Sequence, residues 1–155
     1  FAQKGVVKAI SYDPTFGKSS PVSVLELDIP ASSYTILSPK DEKANVIFDG
    51  NGYTTFYLPK GKQELTVRLE KDMQISGFRY TPNQGRDASG HIANYQFFID
   101  GRQVAEGEFS NIKANPIEQV VHFPAVKGST IRLVATRIVD NLPQAGIGEF
   151  SVITD

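Results

Sequence analysis

The feature that most constrains this chain is strict alternation of apolar and polar residues. In QELTVRLE, Leu65, Val67 and Leu69 alternate with Thr66, Arg68 and Glu70. NYQFFID repeats the pattern with Tyr95, Phe97 and Ile99, and TIRLVAT with Ile131, Leu133 and Ala135. A period of two puts every second side chain on the same face of a pleated strand. Each segment is therefore expected to be a strand with one face in a core and one in water. EQVVHFP and EFSVI read as shorter strands. Gly and Pro fill the gaps, as in LPKGK, TPNQGRDASG, PAVKG and NLPQAG, and Asp100-Gly101 between YQFFI and QVAEG is a hairpin signal. Helical periodicity is confined to a turn near Asp41 to Asn45. Many short strands separated by turn signals predict an all-β sandwich or barrel.

The 155 residues suit one domain, or one domain plus a fragment, and are enough to bury a core. Residues 1–31 read separately. GVVKAISYD and SPVSVLELDI form two strands linked by PTFGKSS, with a boundary at DIPASS. Two strands alone are marginal in water, so this piece needs the following domain or another one upstream. The chain begins at Phe1, from which we expect it to have been processed or cut from a longer polypeptide.

Sixteen basic residues against 17 acidic ones leave a net charge of −1, so neither a nucleic acid nor an anionic membrane is an expected partner. No apolar run approaches the roughly 20 residues of a membrane span. With no cysteine, disulfides, thiol nucleophiles and thiolate metal sites are excluded. That composition fits the cytosol and equally a bacterial periplasm or cell surface.

One loop stands out chemically. IFDGNGYTTF places Asp49, Asn51 and Thr54 within six residues, with Gly50 and Gly52 between them. A hard cation such as calcium takes six to eight oxygens, some from backbone carbonyls that a glycine-rich loop can turn inward. Glu149, opening the last strand, could add a carboxylate. The loop is no EF-hand, because Lys60 stands where that pattern needs Glu. The simpler reading is an Asx-turn in which Asp49 caps its own backbone.

The remaining motifs point away from catalysis. FGKSS lacks the first glycine of a phosphate loop, Tyr12 standing there, and reads as a polar turn. His91 and His122 are the only histidines, without a serine elbow or an HExxH pattern beside them. His122 is expected to decorate a strand face, and His91, following the loop NQGRDASG, is a candidate to line a ligand site. The acids are scattered, so no carboxylate pair for glycoside hydrolysis can be assigned. No catalytic residue is named. DGNGYTTFYLPKG, TPNQGRDASGH and RIVDNLPQAGIG carry Tyr53, Tyr57, Asn83, Gln84, Arg86, His91, Asn141 and Gln144, all exposed-looking. Aromatic faces pack on the apolar face of a sugar ring while amides and Arg bond its hydroxyls, so these loops are a candidate saccharide site. Alternatively they are merely polar loops.

Residues from about 32 to 153 resemble an F5/8 type C (discoidin-like) domain of the carbohydrate-binding module family 32 kind. The likeness rests on NVIFDGNGYTTF, on QISGFRYTPNQ followed by GHIANYQFFIDG, and on TIRLVAT followed by NLPQAGIGEFSV, in the family's order. It implies a galactose-binding-domain-like jelly-roll sandwich of about eight strands, with the N-terminal two-stranded segment as an extra. It implies a structural calcium held by Asp49, Asn51, Thr54 and Glu149, with neighbouring carbonyls. It implies a sugar site on the same end, for which Tyr53, Tyr57, Asn83, Arg86, His91, Asn141 and Gln144 are the candidates. Two departures stand out: Phe56 replaces the motif Trp, and Gln144 replaces the loop Trp that often stacks on sugar.

GVVKAISYDPTFGKSSPV resembles the last strands of the small β-sandwich that precedes such modules in bacterial chitobiases, β-hexosaminidases and α-fucosidases. The resemblance then implies the C-terminal part of an exported glycoside hydrolase, periplasmic or at the cell surface, with the catalytic domain absent. The expected partners are a glycan with galactose- or N-acetylhexosamine-type termini and the upstream domains of the same polypeptide. The expected state is a monomer. The alternative function is a structural or protein-interaction spacer whose sugar site has degenerated.

Overall fold

The computed structural model describes residues 5–27 and 29–154. The chain divides into two compact units, Phe1–Ser33 and Tyr34–Asp155. In the first, β1 (Gly5–Ala9) runs antiparallel to β4 (Ser23–Leu27), with Gly5 opposite Leu27 and Ala9 opposite Ser23. Between them, β2 (Tyr12–Asp13) and β3 (Lys18–Ser19) pair into a short hairpin whose turn is capped by Asp13 Oδ1, which accepts the Thr15 N–H at 2.8 Å.

The second unit holds β5 (Tyr34–Ser38), β6 (Phe56–Tyr57), β7 (Glu64–Thr81), β8 (Ile92–Ile99), β9 (Arg102–Glu108), β10 (Gln119–Ile138), β11 (Gly146–Ile147) and β12 (Glu149–Thr154). The sequence is corrected here in one respect. EQVVHFP and TIRLVAT are one 20-residue strand, β10, although PAVKG between them reads as a turn. The chain bends at PAVKG without reversing. Val126, Lys127 and Gly128 stay paired with Ile75, Gln74 and Met73, and register shifts on either side absorb the N–H that Pro124 lacks.

β7 is likewise continuous over 18 residues, and each half belongs to a different layer. Its first half pairs with β5 and with Thr130–Val134 of β10, which continues to β8 and β9. Its second half pairs with β12 and with the opening residues of β10. The exposed stretch Glu70–Asp72 marks the corner. The two ladders therefore fold over one another as the β-sandwich expected, and the core forms where they face.

Phe78 of β7 stacks on Phe97 of β8 with centroids 4.2 Å apart, and Phe150 of β12 lies 6.3 Å from Phe78. Leu65, Val67, Leu69, Phe97, Ile99, Ile131 and Leu133, the inward set of the alternating segments, are all buried. The turn expected near Asp41 is a 3-10 helix, Glu42–Phe48. The Asp41 side chain caps it by accepting the Lys43 N–H at 2.9 Å, and Ala44 and Ile47 go into the core. Among the described residues no helix is long and apolar enough to cross a membrane.

Phe78 is fully buried at the meeting of the two layers, so Phe78→Ala should cost about 3–5 kcal/mol in chemical denaturation. The exposed His122→Ala should change stability by less than about 0.5 kcal/mol. Equal effects of the two substitutions would mean that the sheets do not meet at Phe78.

Candidate functional site

The fold-over of β7 returns both of its ends to one end of the sandwich. Tyr80, near the finish of β7, and Gln63, just before its start, both bond the segment 143–146. The Tyr80 hydroxyl donates to the Gly146 carbonyl at 2.9 Å, and Gln63 Oε1 accepts the Ala145 N–H at 2.7 Å. Around this anchor lie the loops that the sequence singles out.

The 47–56 loop closes at the end of the 3-10 helix, where the Asp49 N–H donates to the Val46 carbonyl at 3.1 Å. Asp49 Oδ1 accepts the Asn51 N–H at 2.7 Å, and Oδ2 accepts the Thr54 hydroxyl at 2.8 Å. The first of these is the Asx-turn that the sequence also allows. A turn does not need a second carboxylate, yet Glu149 Oε1 reaches the same Asn51 N–H at 2.7 Å, from 98 residues further along the chain. β12 carries it there, opening opposite Thr81 of β7. The Thr54 hydroxyl is also 2.7 Å from the Asn51 carbonyl, and its single proton serves only one of its two acceptors at a time. The Asn51 side chain faces away, its Oδ1 accepting the Tyr53 N–H at 3.1 Å. Asp49, Thr54 and Glu149 thus converge by side chain, whereas Asn51 joins them by its carbonyl.

The electrostatics follow from this crowding. The Thr54 hydroxyl, more than anything else nearby, holds the Asp49 carboxyl below its ordinary value. Glu149 is pushed up to about 7, first by partial burial and then by the Asp49 carboxyl beside it. Two acids crowded over one N–H gain from either a proton or a cation between them. Among the described residues no group of three or more His, Cys, Asp or Glu comes together, so a cation here would take two carboxylates and several neutral oxygens. That donor set suits a hard ion such as calcium and is wrong for a soft one.

The candidate sugar residues fall into three situations. Tyr57 and Asn83 are joined directly, the Asn83 amide donating to the Tyr57 hydroxyl at 3.0 Å while its Oδ1 accepts the Gly85 N–H at 2.8 Å. Tyr57 is partly exposed, and one edge of its ring is pressed onto glycine. A Cβ at Gly90 or Gly146 would come within 3.1 Å or 3.0 Å of Tyr57 Cε1. Tyr53, Arg86 and Asn141 are exposed on neighbouring loops; Tyr53, 75% exposed, stands out furthest.

The third situation corrects the sequence. His91 is only 5% exposed, and burial keeps its imidazole below the ordinary value; its Nδ1 has no hydrogen-bond partner. Ile92 and Ala93, which follow it, are buried as well. Gln144 and Gln84 are half-buried rather than exposed. Their amides donate to carbonyls, Gln144 to Leu58 at 2.9 Å and Gln84 to Pro82 at 2.9 Å. The supports Tyr80 and Gln63 escape notice in the sequence, Tyr80 because it looks like one more inward strand residue.

The F5/8 type C domain family matches residues 28–150. The chain belongs to that family. No curated protein matches it. Among solved structures, this F5/8 type C domain is similar to the family 32 module of NanJ from Clostridium perfringens, in complex with galactose. The identity there is 25% over 79% of this chain and 95% of that one, with a TM-score of 0.66. CpGH89CBM32-5 from Clostridium perfringens, in complex with GalNAc-β-1,3-galactose, is 22% identical over 81% of this chain and 98% of that one, with a TM-score of 0.66. The C-terminal domain of a chitobiase from Bacteroides fragilis is 18% identical over 83% of this chain and 98% of that one, with a TM-score of 0.65.

Because Glu149 titrates near 7 when folded against an ordinary 4.5, the native state holds a proton that the unfolded chain has released. Its contribution to stability is complete below pH 4.5 and is lost as pH rises through 7. In chelating buffer the melting temperature should therefore fall by about 3–6 °C between pH 5 and pH 8. Glu149→Gln should flatten the profile. A melting temperature that rises over this range in the parent chain would contradict the crowded-acid arrangement.

Proposed function

We propose that this F5/8 type C domain is a non-catalytic carbohydrate-binding module, taking glycans with galactose- or N-acetylhexosamine-type termini. The observation that carries this reading is the glycine-backed Tyr57, held by Asn83 on the loops of a sandwich that shares its fold with family 32 modules. One ring face of a partly exposed tyrosine is a platform for the C–H face of a pyranose, and the fixed amide beside it selects hydroxyls. Tyr53, Arg86 and Asn141 extend the polar surroundings of that platform. Such a module concentrates a tethered glycoside hydrolase on its substrate, and linkage multiplies a weak single-site affinity.

Calcium belongs to the same reading as a structural ion. Asp49, Thr54, Glu149 and the Asn51 carbonyl would hold it, fixing the loop that carries Tyr53. Residues 1–31 are read as the terminal strands of a preceding small β-sandwich, because Ile10, Tyr12, Phe16 and Val22 are all more than half exposed on so small a sheet. An exported parent enzyme, periplasmic or at the cell surface, is the setting in which such a module meets glycan.

A spacer function is the second reading. It is favoured by Gln144, which stands where relatives often place a stacking Trp and turns its amide to the Leu58 carbonyl. Titration with galactose and N-acetylgalactosamine separates the two readings. Saturable binding that Tyr57→Ala weakens about tenfold or more, at unchanged melting temperature, is expected. No saturation at millimolar sugar would leave the spacer.

Chelation tests the ion separately. Removing calcium should lower the melting temperature at pH 8, and Asp49→Ala should abolish the difference between calcium and chelator. Identical melts of the parent chain in calcium and in chelator would refute an ion at Asp49.

A further inference from the structure

The chain has seven asparagines, and only Asn51 is followed by glycine; the others precede Val46, Gln84, Tyr95, Ile112, Pro116 and Leu142. In an Asn-Gly pair the main-chain nitrogen can attack the asparagine's own side chain, because glycine puts no Cβ in the way and leaves the backbone free to turn. Packing keeps the glycine in place. A Cβ at Gly52 would lie 2.9 Å from Gln84 Cγ, and the Gly52 carbonyl accepts the Gln84 N–H at 2.9 Å. A larger residue would displace Gln84, whose amide is itself tied to the Pro82 carbonyl at 2.9 Å.

The surroundings of the pair favour the attack. Asn51 is exposed to water. Its Oδ1 accepts the Tyr53 N–H at 3.1 Å, a donor standing where negative charge would develop on that oxygen. Among the described residues the Gly52 N–H donates to no acceptor, so no hydrogen bond has to break before its nitrogen attacks. Elsewhere the side chains are engaged and the next residue is bulky. The Asn83 amide is held on the Tyr57 hydroxyl, and Asn94 Oδ1 accepts from Arg137.

We propose that Asn51 is a site of spontaneous deamidation, which gives the oxygen-rich loop a third carboxylate. The Gly52 nitrogen bonds to Asn51 Cγ and gives its proton to water. The Cγ–Nδ2 bond breaks, the side-chain nitrogen leaves as ammonia, and a succinimide ring closes. Water then opens the ring. Addition at Cγ leaves an aspartate side chain at position 51. Addition at the former main-chain carbonyl carbon leaves an isoaspartate, whose main chain runs through the side chain and gains one methylene. No electron is transferred, and water is the only co-reactant.

Position 51 is where an added charge acts most strongly. The Asn51 N–H is shared by Asp49 Oδ1 and Glu149 Oε1 at 2.7 Å each, and its carbonyl accepts the Thr54 N–H at 3.0 Å. In the isoaspartate that carbonyl becomes a free carboxylate on the side of the loop where the other two acids converge. In the aspartate the charge sits one side chain away. Either product deepens the like-charge repulsion in the ion-free loop. The inference rests on neither the sugar nor the calcium reading.

The test uses the full 155-residue chain, aged in chelating buffer at pH 8 and sampled by peptide mass spectrometry. The peptide carrying Asn51 should gain the amide-to-acid mass difference about tenfold faster than any peptide carrying another asparagine. The aged chain should then melt at a lower temperature in chelator than the fresh one. Asn51→Gln, whose longer side chain closes a ring far more slowly, should neither gain mass at that position nor change its melting with age. Reaction at Asn51 no faster than elsewhere, or only when the chain is unfolded in denaturant, would overturn the site. Reaction at Asn51 that leaves the melting temperature unchanged would overturn its effect on the loop.

Discussion

The site depends on the folding-over of β7. Because Glu64–Leu69 and Ile75–Thr81 lie in different layers, the chain just before the strand and the chain at its end return to one edge of the sandwich. That return lets Gln63 and Tyr80 hold one short segment, 143–146, from two sides. Neither bond is strong alone, each contributing about 1 kcal/mol net. The Tyr80 hydroxyl is fully buried, however, and leaving it unpaired would cost the whole desolvation of the group. It also accepts the Ile92 N–H at 3.0 Å, so one phenol ties β7, the entry to β8 and the Gly146 turn together. The aromatic stack of Phe78 on Phe97 fixes the distance between the layers across which these ties reach.

On this frame two kinds of chemistry sit close together. The first is electrostatic. Asp49 and Glu149 are brought over one N–H by separate elements, so their repulsion is imposed by packing and must be relieved by a proton or an ion. The second is shape. Tyr57 can lie against the backbone only because Gly90 and Gly146 offer no Cβ, and Asn83 then fixes the position of its hydroxyl. Both arrangements are already ordered by the fold, so neither loop would have to give up much further conformational entropy to meet a partner.

The alternation in QELTVRLE, NYQFFID and TIRLVAT is enough to read these stretches as half-buried strands, because the side-chain period of a pleated strand is a local property. Asp100-Gly101 is legible as a hairpin for the same reason, with φ values of 46° and 80° that Asp and Gly tolerate. PAVKG misleads because Pro and Gly report a local break in the ladder, not whether the chain reverses after it. The outcome there is set by Ile75, Gln74 and Met73 on the partner strand. His91 misleads similarly, since a polar residue after a glycine-rich loop looks exposed until the core behind it is known.

What the sequence by itself determined was the all-β class, the strand faces and an oxygen-rich loop at Asp49 to Thr54, all of which follow from spacing within a few residues. What only the tertiary structure decided was which oxygens of that loop face Glu149, which loop residues turn inward, and that Tyr57, Asn83 and two glycines form one surface. These depend on pairings between residues tens of positions apart. A polar side chain's direction depends on which acceptor the fold places within 3 Å of it, as the amide of Gln144 on the Leu58 carbonyl illustrates at 2.9 Å.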